Sequence, residues 1–274
     1  MGEREDLERY REVAARAALA AGRVILDAPM PEAERKGRAD YVTEVDRLAE
    51  EAVREVLEKE SPGVQVLGEE LGGAEATAYW LVDPLDGTTN FLHRFPAVGV
   101  SVAFVSDGRP KAGAVHAPYL STTWTAALGQ GAEQDGVPLR VSDTPPEDAV
   151  VGTGFPFRDK DQRLEEYLEV MIPALKRFED LRRPGAVALD LAWVASGVFD
   201  GFFELALSSW DVAAGGLLIE EAGGVVTDWK GGGDYLSGDV LAGNAGVHAA
   251  LLELVEAAGA GSTSSPTGAS ADRS

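Results

Sequence analysis

Tyr79-Trp80-Leu81-Val82 is apolar and aromatic throughout, and it runs straight into Asp83-Pro84-Leu85-Asp86-Gly87-Thr88-Thr89-Asn90. This junction limits what the chain can fold into more than any other segment. The apolar run reads as a buried strand. The proline and glycine after it read as a turn. Two carboxylates three residues apart, followed by two hydroxyls, are therefore expected at a strand's end, where α/β folds place their active sites. Carboxylate oxygens gathered there are the ligands a hard cation such as Mg²⁺ takes.

The chain has 274 residues, enough for one large domain or two modest ones with a full core. No apolar run is long enough to span a membrane. The N-terminal Met1-Gly2-Glu3-Arg4-Glu5-Asp6 is charged and lacks the apolar stretch of a secretory signal. The expectation is a cytoplasmic protein with no membrane partner. With no cysteine, disulfides, thiolate zinc sites and a cysteine nucleophile are excluded. The net charge of −22 argues against nucleic-acid binding, which needs a basic footprint. It also opposes an anionic substrate, unless bound divalent cations reverse the local field.

Leu7, Tyr10, Val13, Ala17, Ala21 and Val24 recur at three- and four-residue steps, so residues 4–28 are expected to form one amphipathic helix, stopped by Pro29 and Pro31. A basic patch, Arg35-Lys36-Gly37-Arg38, precedes a helix from Asp46 to Glu60, and Val64–Leu67 is a short strand leading to Gly68-Glu69-Glu70. Strands are expected over Val98–Val105, Ala112–His116 and Thr122–Ala127, with an antiparallel look. The polar, proline-containing 142–148 is the best candidate boundary. It divides an α+β half, residues 1–141, from an α/β half, residues 149–257. In the second half, strands Ala149–Thr153, Phe202–Leu205, Val225–Thr227 and Leu241–Gly243 alternate with helices Gln162–Phe178, Val187–Val198, Val212–Ala222 and Val247–Ala257. Residues 258–274 are rich in Gly, Ser, Ala and Thr and are expected to be a disordered tail.

Acids stand beside expected strand or turn ends at four places: Asp46, Glu69-Glu70, Asp83 with Asp86, and Asp211 in Ser209-Trp210-Asp211-Val212-Ala213-Ala214-Gly215. Taken singly, each has a plainer reading. Asp211 before an apolar helix suits an N-cap, and Glu69-Glu70 suits a solvated turn. Together they make an all-oxygen site of the kind that holds Mg²⁺. Such a site suits phosphoryl transfer to water. Thr88 can orient a water if its hydroxyl has an acceptor, for which Asp46 is available.

Gly68-Glu69-Glu70, the segment Asp83 to Phe91, and Trp210 to Gly215 together resemble the signatures of the inositol monophosphatases. That superfamily includes fructose-1,6-bisphosphatases and 3′-phosphoadenosine 5′-phosphate phosphatases. Lys36 with Thr43-Glu44-Val45-Asp46, Gly154-Phe155-Pro156-Phe157 and Phe203-Glu204-Leu205 extend the likeness over roughly residues 5–257. The resemblance implies a layered αβαβα sandwich with a metal site between two halves. It implies two or three Mg²⁺: Glu69, Asp83 and the Leu85 carbonyl on one, Asp83, Asp86 and Asp211 on another, and Glu69 serving a weaker third. Thr88 linked to Asp46 would activate the water, with Glu69 and Lys36 also in the catalytic set. Substrate would meet the amides of Gly87 and Thr88, the Gly185-Ala186-Val187 backbone and Glu204, as well as Glu69, Leu85, Asp86 and Asp211. The implied reaction is hydrolysis of inositol 1-phosphate or a related small polyol phosphate, by a lithium-sensitive homodimer. Histidinol phosphate, fructose 1,6-bisphosphate and nucleotide 3′-phosphates are alternative substrates, and a regulatory module without turnover is an alternative of another class.

Two departures stand out. Ala186 occupies a position where Ser or Thr is common in the family, and Arg94 one where Gly is frequent. The three histidines, His93, His116 and His248, are too scattered for a transition-metal cluster. Arg182-Arg183 could bind an anion or a dimer partner, or be a plain surface pair. Trp80, Trp193 and Trp210 are expected in the core.

Overall fold

The computed structural model describes residues 3–29, 33–37, 40–157 and 160–259; for 33–37, 40–42, Glu3, Glu5 and Lys160 only the backbone is described. Helix α1 (Glu3–Asp27) is followed by strands β1 (Ala33–Gly37) and β2 (Asp40–Thr43), an antiparallel hairpin, and by helix α2 (Glu44–Glu60). The hairpin is not among the sequence expectations, which read its segment as a basic patch. Thr43 caps α2 in a capping box: its hydroxyl accepts from the amides of Val45 and Asp46, and the Asp46 carboxylate accepts from the Thr43 amide.

Seven strands then form one sheet in chain order: β3 (Gln65–Gly68), β4 (Ala78–Asp86), β5 (Gly99–Ser106), β6 (Arg109–Ala117), β7 (Thr122–Ala127), β8 (Gly131–Gln134) and β9 (Val137–Pro138). The β3–β4 pair is parallel and the others are antiparallel. A short helix, α3 (Thr88–Leu92), follows β4. Tyr79 to Val82 is the buried strand that its composition implies.

The second sheet is built from β10 (Val150–Thr153), β11 (Asp180–Arg182), β12 (Gly201–Glu204), β13 (Val225–Thr227) and β14 (Val240–Gly243), in the spatial order β11-β10-β12-β14-β13. Its helices are α4 (Lys160–Arg177), α5 (Val187–Ala195), α6 (Ser209–Glu221) and α7 (Ala245–Ala258). The β/α alternation gives a mixed sheet here: β12–β14 and β13–β14 run antiparallel. Strand β11, whose three residues are too short a run for their alternation to signal a strand, is another element absent from the sequence expectations.

The layers follow from which faces are apolar. Helix α1 turns Val13, Ala14, Ala17, Ala18, Ala21 and Ile25 inward with α2 against one face of the first sheet. The small side chains allow a close approach, so that a Cβ on Gly22 would lie 2.4 Å from the His116 ring. Tyr10, Trp80 and Phe104 pack ring on ring there, and the Trp80 indole donates to Ser61 Oγ at 2.8 Å. Burying each such ring contributes about 1.5–3 kcal/mol. Helices α5 and α6 are apolar nearly all round and fill the space between the sheets in one core. Helices α4 and α7 cover the outer face of the second sheet, where Tyr167, Phe203, Leu241 and Leu251 are buried together. The result is the αβαβα sandwich. Among the described residues no helix is long and apolar enough to cross a membrane. The tail beyond residue 259 lies outside the described residues.

Candidate active site

The end of β4 is bulged. Asp83 sits opposite Ser101 and Asp86 opposite Gly99, so three steps on β4 match two on β5. In a regular strand residues three apart point to opposite faces. The extra residue of the bulge, at Pro84-Leu85 where proline has no amide to contribute, lets both aspartates serve one site.

The flanking elements bring the other acids to the same place. Along one side, the Glu69 amide donates to the Val82 carbonyl at 3.1 Å, which sets Glu69 beside Asp83. Across the other side, Ser101 Oγ donates to the Trp210 carbonyl at 2.9 Å and ties the start of α6, with Asp211, to the first sheet. The Ala188 amide at the start of α5 donates to Asp86 Oδ2 at 2.7 Å. Asp211 is not the N-cap that its position suggested. Ser208 caps α6, and Asp211 lies at the third helical position, accepting from the Ser208 amide at 2.8 Å.

These carboxylates feel one another. Asp83, 2% exposed, is pushed well above the usual carboxylate range by burial, then by the charges of Glu69, Asp86 and Asp211; the Leu85 amide, at 3.0 Å, opposes the shift. Asp86 and Asp211 are buried too, and Glu69 is half-buried. Among the described residues no three acids are drawn together tightly enough to grip a single ion as they stand. The donor set is nonetheless all oxygen, buried and of one sign, which suits a hard divalent cation.

Thr88 opens α3. Its Oγ1 lies 3.0 Å from Asp46 Oδ1 and 3.3 Å from the Leu85 carbonyl. The other oxygen of Asp46 is occupied by the Thr43 amide and hydroxyl. Burial raises the Asp46 pKa, and the Thr43 and Thr88 hydrogen bonds counter it. Gly87, before Thr88, has φ +90°, and a Cβ on it would meet the Ala97 carbonyl at 2.8 Å, so the turn requires glycine. Asn90, the last residue of the motif, donates to the carbonyls of Ala97 and Pro184 at 2.8 and 2.9 Å and so joins the motif to the Gly185 loop.

Gly185, Ala186 and Val187 lead into α5, with Ala186 fully buried at its N-cap. Glu204 ends β12, 8% exposed. It packs so closely on Gly154 that a Cβ there would lie 2.1 Å from both its carboxylate oxygens. Lys36 is on β1, and its side chain lies outside the described residues. Arg94 adopts φ +58°, a conformation that glycine takes without strain.

Two acids escaped the sequence reading. Glu50, on α2, is fully buried and accepts from Arg54 at 2.8 Å and from the Glu70 amide at 2.8 Å. Asp190, in the first turn of α5, is 1% exposed, and among the described residues neither of its oxygens has a hydrogen-bond partner. Burial pushes it well above the usual carboxylate range, and the charges of Glu204 and Asp86 add to this. An acid inside an otherwise apolar helix was the available signal.

Comparison with known proteins identifies the family and the fold. The model of the inositol monophosphatase family matches residues 6–260. The chain is 43% identical over 249 residues to the Nus factor SuhB of Escherichia coli strain K12, covering 88% of this chain and 93% of that one. It is 38% identical over 259 residues to the fructose-1,6-bisphosphatase/inositol-1-monophosphatase of Aquifex aeolicus, covering 92% and 97%. The crystal structure of the extragenic suppressor protein suhB from Bartonella henselae superposes with a TM-score of 0.85 at 37% identity, covering 89% of this chain and 97% of that one.

Proposed function

The chain belongs to the inositol monophosphatase family, and from that premise we propose that it is a Mg²⁺-dependent phosphomonoesterase that hydrolyses inositol 1-phosphate, or a similar small polyol phosphate, by direct attack of water. Phosphatase activity is the class the family and the relatives support. The observation that carries the finer reading is the Thr88–Asp46 hydrogen bond at 3.0 Å, set beside the acids of β4. A binding site alone has no use for a hydroxyl oriented by a buried carboxylate.

In this reading Glu69, Asp83 and the Leu85 carbonyl hold one cation and Asp83, Asp86 and Asp211 a second, with Glu69 also serving a weaker third. When bound, such cations make water nucleophilic at neutral pH and stabilise the leaving oxygen. Thr88 gives its own proton to Asp46, so its lone pairs accept a proton of the attacking water and fix that water's direction. Burial raises the Asp46 carboxyl, which makes it a better proton acceptor. The amides of Gly87 and Thr88 face the phosphate, and Lys36 adds positive charge. Glu204 accepts from the polyol hydroxyls, with the Gly185-Ala186-Val187 backbone alongside. Glu69, the Leu85 carbonyl, Asp86 and Asp211 would meet the phosphate through the cations they hold.

Purified protein with Mg²⁺ is expected to release phosphate from inositol 1-phosphate, and Asp83→Ala or Asp211→Ala to lose about a thousandfold of that rate. Full activity in both variants would refute the site. A panel with histidinol phosphate, fructose 1,6-bisphosphate and nucleotide 3′-phosphates, ranked by kcat/KM, decides the substrate, since specificity lies in that ratio. Homodimerisation, lithium inhibition and a cytoplasmic location belong to the same proposal, and light scattering and a lithium titration test the first two. The name of the E. coli relative, a Nus factor, favours a second reading as a regulatory protein. Absence of hydrolysis across the panel with Mg²⁺ binding intact would select it.

A further inference from the structure

Arg182 and Arg183, adjacent in the chain, have different surroundings. Arg182 pairs with exposed Asp180 on β11. Arg183 lies over two aromatic rings, its guanidinium carbon 5.0 Å from the centroid of Phe157 and 5.7 Å from that of Phe155. Those rings brace each other edge to face at 5.5 Å. Nη1 of Arg183 is 2.6 Å from where a Cβ on Gly185 would stand, so the guanidinium rests against the backbone assigned to the substrate. Among the described residues Arg183 forms no ion pair. A guanidinium held by its face keeps its in-plane N–H groups for hydrogen bonds.

The groups around that edge have the complementary chemistry. Asp190 and Tyr167 are both pushed upward chiefly by burial; Glu204 adds to each shift, and Arg183 opposes each. Phe155, under Arg183, meets the ring of Tyr167 edge to face at 5.6 Å, and Gly154 beside it lies against the Glu204 carboxylate, so Arg183, Glu204 and Tyr167 share one space, where α4 and β12 meet. A hydroxyl both donates and accepts, whereas a guanidinium only donates and a carboxylate only accepts. An Arg–Glu pair thus reads neighbouring hydroxyls in both senses.

We propose that Arg183 is a specificity-determining residue that donates to the hydroxyls of the bound polyol on the side away from its phosphate, opposite Glu204, and so favours polyol phosphates over esters without hydroxyls. This rests on the phosphatase reading above. The test compares inositol 1-phosphate with p-nitrophenyl phosphate, an ester with no hydroxyls, in wild type, Arg183→Met and Arg183→Lys. For Arg183→Met the ratio of the two kcat/KM values, polyol over aryl, is expected to fall about tenfold, the size of a hydrogen bond to a charged group. The change is expected in KM, with Arg183→Lys intermediate and the melting temperature unmoved. An equal loss on both esters, a loss confined to kcat, or no loss would overturn the inference while leaving the phosphatase reading standing. A wild type that hydrolyses neither ester would overturn both.

Discussion

Glu50 and Asp83 are buried acids on neighbouring elements with opposite surroundings. Glu50 receives Arg54 at 2.8 and 2.9 Å, the Glu70 amide at 2.8 Å and the Leu71 amide at 3.2 Å. A Cβ on Gly68 would lie 2.0 Å from its carboxylate, so glycine makes room for this cluster. Asp83 instead faces Glu69, Asp86 and Asp211. The division runs between consecutive residues: the Glu69 side chain joins the like-charged group, and the Glu70 amide serves Glu50. A charge satisfied inside the fold holds the fold together. A charge surrounded by its own kind costs stability and concentrates binding power for a cation.

The contrast breaks most directly at Asp83. Asp83→Ala is expected to lower kcat for inositol 1-phosphate about a thousandfold, since cation stabilisation of the transition state contributes several kcal/mol. Its denaturant midpoint in the presence of a chelator is expected to stay level or rise, because a repulsive buried charge is gone. Thr88→Ala is expected to cost about a hundredfold in kcat, with Mg²⁺ affinity retained and Thr88→Ser recovering most of the rate. Glu50→Ala reverses the pattern. It is expected to lose about 2–3 kcal/mol of stability in denaturant titration, since it strands Arg54 and two amides, with a much smaller loss in kcat.

The smallest effect comes from buried histidines outside both groups. Burial, first among its causes, holds His116 below the usual imidazole value, and the same holds for His248, which lies 2.8 Å from Thr227 Oγ1. The unfolded chain then binds more protons than the folded one below about pH 6.5. Stability is full above that pH and declines as pH falls through it towards the lowered folded values. Asp83, whose raised carboxyl favours the folded state as pH falls, opposes this limb, so the limb is expected in wild type and Glu50→Ala and at least as steep in Asp83→Ala; a limb missing from Asp83→Ala would contradict its assignment to the histidines.

The functional group was more legible in the chain than the structural one. Asp83 and Asp86 stand in a motif whose turn residues announce a strand end, and α1 shows its buried face in plain helical periodicity. Glu50 is one of several glutamates along α2, and nothing local separates it from its exposed neighbours: its burial is set by Arg54 and by the 70–71 amides, which arrive from another element. Asp190 differs, because an acid inside an otherwise apolar helix is a local signal of a buried charge. The apolar pattern alone begins α6 at Val212, whereas Ser208 with Asp211 three residues on is a capping pattern that sets its first turn earlier. Strand β11 carries no pattern, because it is a three-residue edge strand formed by its pairing with β10.

The measurement closest to the central claim is thermal unfolding of chelator-treated protein titrated with Mg²⁺, for wild type, Asp83→Ala and Glu50→Ala. A ligand that binds the folded state stabilises it by about 2.7 kcal/mol at a hundred times its Kd. The account predicts that Mg²⁺ raises the melting temperature of wild type and, from a lower start, that of Glu50→Ala by a similar amount, while Asp83→Ala stays flat. An Asp83→Ala curve that climbs with Mg²⁺ as the wild type does would contradict it.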